Sequence, residues 1–183
     1  MRFSLSSKEF ILGSVAILFG LIAIGTLAWV LIAYPSEQFP GERFVLHRIS
    51  FFNNLTPISV ITFSAFICFA CSLEIFRSRL IRLQASLKIL LFIFFCFWAF
   101  VYAYEVLWQF AAWTEAYILS GGNTYVDQLH VLPNQETGGL AHNFTFRTKY
   151  VFFLVALSLY GAYFLNGIMR TESDEKKKNS KKP

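Results

Sequence analysis

The chain has 183 residues, of which 56% are hydrophobic, 19% aromatic and 15% charged, and its formal net charge at pH 7 is +5. A soluble domain has about 45–50% apolar and about 25% charged residues, so this chain has too few charges to cover a water-facing surface. The composition excludes a disordered chain, and the 3 cysteines are too few for a disulfide scaffold. We therefore expect a small integral membrane protein.

Long apolar runs predict the secondary structure. Residues 11–34 contain no charge, and at about 1.5 Å per residue they are long enough to cross a hydrocarbon core of about 30 Å. Three further runs follow, and only the third run of the chain contains an internal charge, Glu105. The predicted spans cover about residues 10–34, 55–76, 89–113 and 149–169. The predicted fold class is an all-α integral membrane protein, with a four-helix transmembrane bundle in residues 1–170.

The distribution of basic residues predicts the orientation. Of the 16 Lys and Arg, 12 lie in the N-terminal segment, between the second and third spans, or after the fourth span. Cytoplasmic flanks retain positive charge, so both termini are expected in the cytoplasm. The outer loops are then about residues 35–54 and 114–148, and residues 171–183 are expected to form a disordered, basic cytoplasmic tail.

Glu105 is the most informative residue for function, because ionisable groups within a span usually face a partner, a cavity or a pathway. It follows Ile89 by 16 residues, which places it about 24 Å along the helix, near the outer edge of the hydrocarbon core. At that depth it could pair with Arg147 or Lys149 at the outer end of the fourth span. The alternative is a proton, ion or ligand site, and the position at the edge favours structural pairing.

Three histidines lie in the predicted outer loops, His47 in the first and His130 and His142 in the second. Imidazole and nearby carboxylates suit copper, zinc or iron, but no two of these histidines have the three- or four-residue separation of a helical chelate. They are weak metal-site candidates, and solvated loop histidines are the favoured interpretation. We expect no cofactor.

One acceptor pattern for N-glycosylation lies on the predicted outer face, away from the membrane boundary. Asn143, Phe144 and Thr145 match it. The pattern is short, so Asn143 is a candidate for modification only where the organism glycosylates proteins.

The cysteines offer a further candidate for chemistry. Cys68 and Cys71 have CxxC spacing but lie deep within the second predicted span, where apolar surroundings make a thiol a poor nucleophile. Packing is the favoured interpretation, and no catalytic residue is predicted.

Small residues recur along one face of the first span, at Gly13, Ala16, Gly20 and Ala23. Such a face allows two helix backbones to approach closely, either inside the bundle or against another subunit. The third span is rich in Phe and apolar almost all round, so it is expected to contact lipid or other subunits as well as its own neighbours.

Together these features favour a non-catalytic accessory or assembly subunit of a larger membrane complex. Its expected partners are membrane lipids and either other membrane subunits or a second copy of the chain. The alternative is a proton or ion transport component centred on Glu105; a membrane enzyme with an outer-face histidine metal site is less favoured. Nucleic-acid binding has no support beyond the positive charge.

Overall fold

The computed structural model describes residues 7–34, 44, 49, 55–119 and 140–180. Side chains are described for residues 7–34, 44, 49, 55–114, 118 and 146–174. In this part of the chain the secondary structure is helical, with one isolated β-bridge between Ile49 and Leu55. The helices are α1 (Ser7–Ala33), α2 (Pro57–Ile81), α3 (Ala85–Leu119) and α4 (Leu140–Ser180).

All 4 helices are long and apolar enough to cross a membrane. This confirms the all-helical fold class and the four predicted candidate spans. The start of α2 shows how the local sequence sets a helix boundary. Thr56 is extended, with φ −72° and ψ 146°, and Pro57 occupies the first helical turn, where a missing N–H is tolerated.

The helices α3 and α4 extend beyond the predicted spans. The third predicted span covers residues 89–113, whereas α3 begins at Ala85 and continues to Leu119, within the predicted outer loop 114–148. Glycine pairs in the sequence follow α3 and precede α4, and glycine commonly lies next to helix ends.

The predicted disordered tail, residues 171–183, also differs from the structure. Helix α4 continues to Ser180, so residues 171–180 are helical. This segment is rich in Glu and Lys, which are good helix formers, and it contains no Gly or Pro. A polar and charged composition is therefore compatible with continuation of the preceding helix.

The principal helix contacts connect α1 to α2, α2 to α4, and α4 to α3. Helices α2 and α4 are therefore central, whereas α1 and α3 each pack mainly against one neighbour. The most buried span belongs to α4, with 39% of its apolar window inside the protein, compared with 11% for α1 and for α3. Phe164, Leu165 and Ile168 of α4 are among the buried core residues.

Part of the small-residue face of α1 packs against α2. Ala16 is buried, and a methyl group added at Gly20 would lie 3.5 Å from Sγ of Cys68. A methyl group added at Gly13, nearer the start of the helix, would meet nothing within 4 Å. The close approach that small residues allow is therefore used within the chain at Gly20 and not at Gly13.

Candidate functional site

Glu105 lies on the exposed surface of α3 and begins a chain of polar contacts that reaches α4. The Gln109 Nε2 atom donates a hydrogen bond of 3.3 Å to Oε1 of Glu105. Gln109 is buried, and its Oε1 accepts a 3.1 Å hydrogen bond from Oγ1 of Thr148. The four-residue spacing of Glu105 and Gln109 places both on one side of the helix, so the amide connects the carboxylate to the neighbouring helix.

Lys149 makes a second set of contacts, between α4 and the start of α2. Its Nζ donates hydrogen bonds of 2.8 Å to Oγ1 of Thr56 and 3.1 Å to Oγ of Ser59. These two hydroxyls also lie 2.8 Å from each other. Thr56 is buried and its side chain makes no capping bond to α2, so its hydroxyl is available to accept the hydrogen bond from Lys149.

The structure does not form the predicted ion pair between Glu105 and either cation. Two ion pairs of described side chains, Glu74 with Arg77 and Lys88 with Glu172, do not include Glu105. Lys149 is directed to α2, and Arg147 is exposed.

A buried cation lies at the opposite end of the helices. The Lys88 side chain is only 3% exposed and forms an ion pair with Glu172 of α4. Its Nζ also donates a 2.7 Å hydrogen bond to the carbonyl oxygen of Ile81 at the end of α2. Lys88 thus joins α2, α3 and α4. The third predicted span begins at residue 89 and so leaves Lys88 outside it; the signal in the sequence for its burial is Glu172, a carboxylate just beyond the end of the fourth predicted span.

The histidine candidates fall outside the part of the structure that describes side chains. His47 and His130 are outside the described residues, while His142 and Asn143 lie in the described backbone of α4 without described side chains. Among the side chains that are described, no group of 3 or more His, Cys, Asp or Glu residues could hold a metal ion. The proposed histidine metal site and the modification of Asn143 therefore stay predictions.

A groove of about 350 Å³ lies between α2 and α4, and we call it the α2–α4 groove. Helix α2 contributes Ser59, Thr62, Phe63 and Phe66. Helix α4 contributes Lys149, Phe152, Phe153 and Ala156. The groove is polar at the end where both helices begin and aromatic below it.

A second groove, of about 360 Å³, is more uniformly apolar. Most of its lining comes from α3 and α4, including Phe95, Trp98 and Leu157, with Phe69 contributed by α2. Trp98 and Tyr102 stack here with ring centroids 5.3 Å apart. This groove offers apolar contact area but little polar selectivity.

Comparison with protein-family models, curated proteins and solved structures finds no match to this chain. The fold alone defines the class of the chain, a protein with four candidate membrane-spanning helices. Any functional assignment depends on the chemistry of its own residues.

Proposed function

We propose that this protein is a non-catalytic accessory or assembly subunit of a larger membrane complex, with both termini in the cytoplasm. The observation that carries the proposal is Glu105, an exposed carboxylate on an apolar helix within a candidate span. A carboxylate facing hydrocarbon is costly unless it reaches a partner or the interface. Among the described side chains no cation forms an ion pair with it.

The surface beside Glu105 suits a protein partner. Phe97, Tyr104 and Trp108 lie on the adjacent strip of α3, and their exposed fractions are 58%, 61% and 62%. Aromatic residues are enriched in the centres of protein interfaces. A partner helix with a basic or amide side chain opposite Glu105 would satisfy the carboxylate and cover these rings. Helix α3 is available for this contact because it packs mainly against α4.

Photo-crosslinking from α3 in native membranes tests the subunit proposal. A photoreactive amino acid at Trp108, next to Glu105, is expected to form an adduct with a different membrane protein. Leu107 provides the matched control, because it is 69% exposed but lies about 200° round the helix from Glu105. There we expect mainly lipid adducts. Adducts of Trp108 with lipid alone, or only with a second copy of the chain, would contradict an accessory role.

The second candidate is proton or ion transport centred on Glu105. The observation that favours it is the polar contact of Glu105 with Gln109 and, through Gln109, with Thr148, because this contact places an ionisable carboxylate at the polar end of the α3–α4 contact. A single four-helix chain has little room for an aqueous path, so this function requires an oligomer.

Flux measurements on reconstituted vesicles test the transport alternative. If the alternative holds, the wild type conducts protons and Glu105→Gln abolishes the flux, because the amide cannot carry the charge. Glu74→Gln is the control, since Glu74 pairs with Arg77 on the same helix and takes no part in the contact of Glu105 with Gln109. A wild-type protein without flux, or equal flux in both variants, would remove the alternative.

A further inference from the structure

The second groove, between α3 and α4, contains a buried hydroxyl without a hydrogen-bond partner. Ser158 of α4 lines the groove and is only 6% exposed. The hydroxyls of Thr62 and Ser72 of α2 donate hydrogen bonds of 2.8 Å and 2.7 Å to the carbonyl oxygen four residues earlier. Within the described part of the chain, Oγ of Ser158 makes no hydrogen bond to a side chain or to the backbone. An unpaired buried hydroxyl is costly, so the small polar selectivity of this groove favours an occupant that accepts a hydrogen bond.

The rest of the lining is mainly aromatic. Five of the eight described lining residues carry aromatic rings, and two of the others are leucines. Trp98 and Tyr102 stack with 26° between their planes, and Phe94, 53% exposed, has its ring centroid 6.1 Å from that of Trp98. Aromatic side chains contact other rings through their faces or their edges. The lining therefore suits a planar conjugated ring.

The groove lies near the middle of the candidate spans. Trp98 follows the start of the third predicted span by 9 residues, and Ser158 follows the start of the fourth by 9, which is about 14 Å along each helix. The contacts of Gln109 with Thr148 and of Lys88 with Glu172 show that α3 and α4 are antiparallel, so the two depths are measured from opposite faces. Both correspond to about half of a hydrocarbon core of about 30 Å.

This depth restricts the chemistry of the occupant. Phosphates, lipid esters and sterol hydroxyls stay at the membrane interface, because polar groups are costly in hydrocarbon, and an acyl chain has no acceptor at this level. The occupant must be uncharged, dissolved in the hydrocarbon, planar in one part, and able to accept a hydrogen bond. A quinone with an isoprenoid tail has these properties, since its ring carries carbonyl oxygens.

We propose that the second groove binds a lipid-soluble quinone as a ligand, with one ring carbonyl accepting a hydrogen bond from Ser158 and the ring against Trp98. The volume of about 360 Å³ is within the range of about 300–1,000 Å³ for small-molecule sites and takes the ring, while the apolar tail extends into the lipid. The groove includes neither Glu105 nor the exposed rings beside it, so this inference does not depend on the proposed subunit role.

Tryptophan fluorescence tests the ring position, with the full-length chain in lipid nanodiscs that hold one copy each. The probe is menadione, a small quinone whose ring quenches tryptophan on contact. Menadione dissolved in the bilayer quenches exposed indoles in proportion to its concentration, whereas a bound ring is expected to add a saturable component at Trp98. Trp98→Leu is expected to remove that component. Phe100→Leu is the control, because Phe100 is 73% exposed on the same helix and does not line the groove.

A second pair of variants tests the hydrogen bond. Ser158→Ala is expected to raise the dissociation constant of menadione about fivefold, the effect of losing one hydrogen bond. Ser72→Ala is the matched control, since its hydroxyl already donates to the backbone of Cys68 and lies outside the groove. Methylnaphthalene has the same ring without the carbonyls, and by competition it is expected to bind the wild type about fivefold more weakly than menadione. In Ser158→Ala this difference is expected to disappear.

Several results would overturn the proposal. A wild type without a saturable component would leave the groove to acyl chains. Equal affinities of Ser158→Ala and Ser72→Ala, or equal binding of menadione and methylnaphthalene by the wild type, would exclude recognition of the carbonyl. Saturable quenching that appears only with two copies in a nanodisc would assign the groove to a second copy of the chain.

Discussion

Replacement of Glu172 by alanine is expected to lower the free energy of unfolding by about 2–3 kcal/mol, somewhat below the range for breaking a fully buried pair. The reason is the partner that remains. The Lys88 side chain is 3% exposed, whereas that of Glu172 is 27% exposed. Loss of the carboxylate leaves a buried ammonium whose remaining described contact is the carbonyl of Ile81.

The reverse substitution has a smaller expected effect. Lys88→Met removes the buried charge and keeps most of the apolar side-chain volume, while the partly exposed Glu172 can turn toward solvent. Replacing a buried ionic group with an apolar group of similar volume is often neutral. The double variant Lys88→Met/Glu172→Ala is therefore expected to be more stable than Glu172→Ala alone. This reversal distinguishes an uncompensated buried charge from simple loss of a contact.

Unfolding in mixed micelles, followed by circular dichroism, measures these differences. Arg77→Ala provides the control, because Arg77 also pairs with a glutamate but its side chain is 46% exposed. Exposed pairs contribute about 0–1 kcal/mol, so this change is expected to be small. Equal destabilisation by Arg77→Ala and Glu172→Ala, or a double variant no more stable than Glu172→Ala, would contradict the role assigned to Lys88.

The case of Lys88 shows where sequence reasoning reached its limit. Long apolar runs predicted all four candidate spans, because crossing a membrane constrains length and composition within each segment. The same logic placed Lys88 outside the third span. Its burial depends on Glu172 and on the end of α2, and neither neighbour can be identified from the local run.

The contacts of Thr148 and Lys149 likewise depend on how α4 packs, which the local sequence does not reveal. The four-residue spacing of Glu105 and Gln109 places both on one face of α3, and their side chains are hydrogen-bonded. The sequence also offered Lys149 as a partner for Glu105. Successive residues on a helix are separated by about 100°, and α4 packs between α2 and α3. Thr148 therefore contacts Gln109 of α3, whereas Lys149 contacts α2.

The contact between α3 and α4 provides the second large expected effect, at Gly161. A methyl group added there would lie 2.7 Å from Cε1, 2.8 Å from Cδ1 and 2.9 Å from Cζ of Phe95. These separations are too short for carbon atoms, so the ring or the helix must move. Gly161→Ala is expected to destabilise the protein by about 1–3 kcal/mol, the usual range for overpacking.

Gly167 offers a matched control on the same helix, since a methyl group added there meets nothing within 4 Å. Alanine is a better helix former than glycine by about 1 kcal/mol, so Gly167→Ala is expected to be neutral or stabilising. The two substitutions are thus expected to change the free energy of unfolding in opposite directions, which separates the steric effect from helix propensity. Unfolding in mixed micelles measures both variants, and Phe95→Leu in the Gly161→Ala background should recover part of the loss by removing the ring. The close packing of α3 on α4 would be contradicted if Gly161→Ala matched Gly167→Ala, or if Phe95→Leu destabilised the Gly161→Ala protein as much as the wild type.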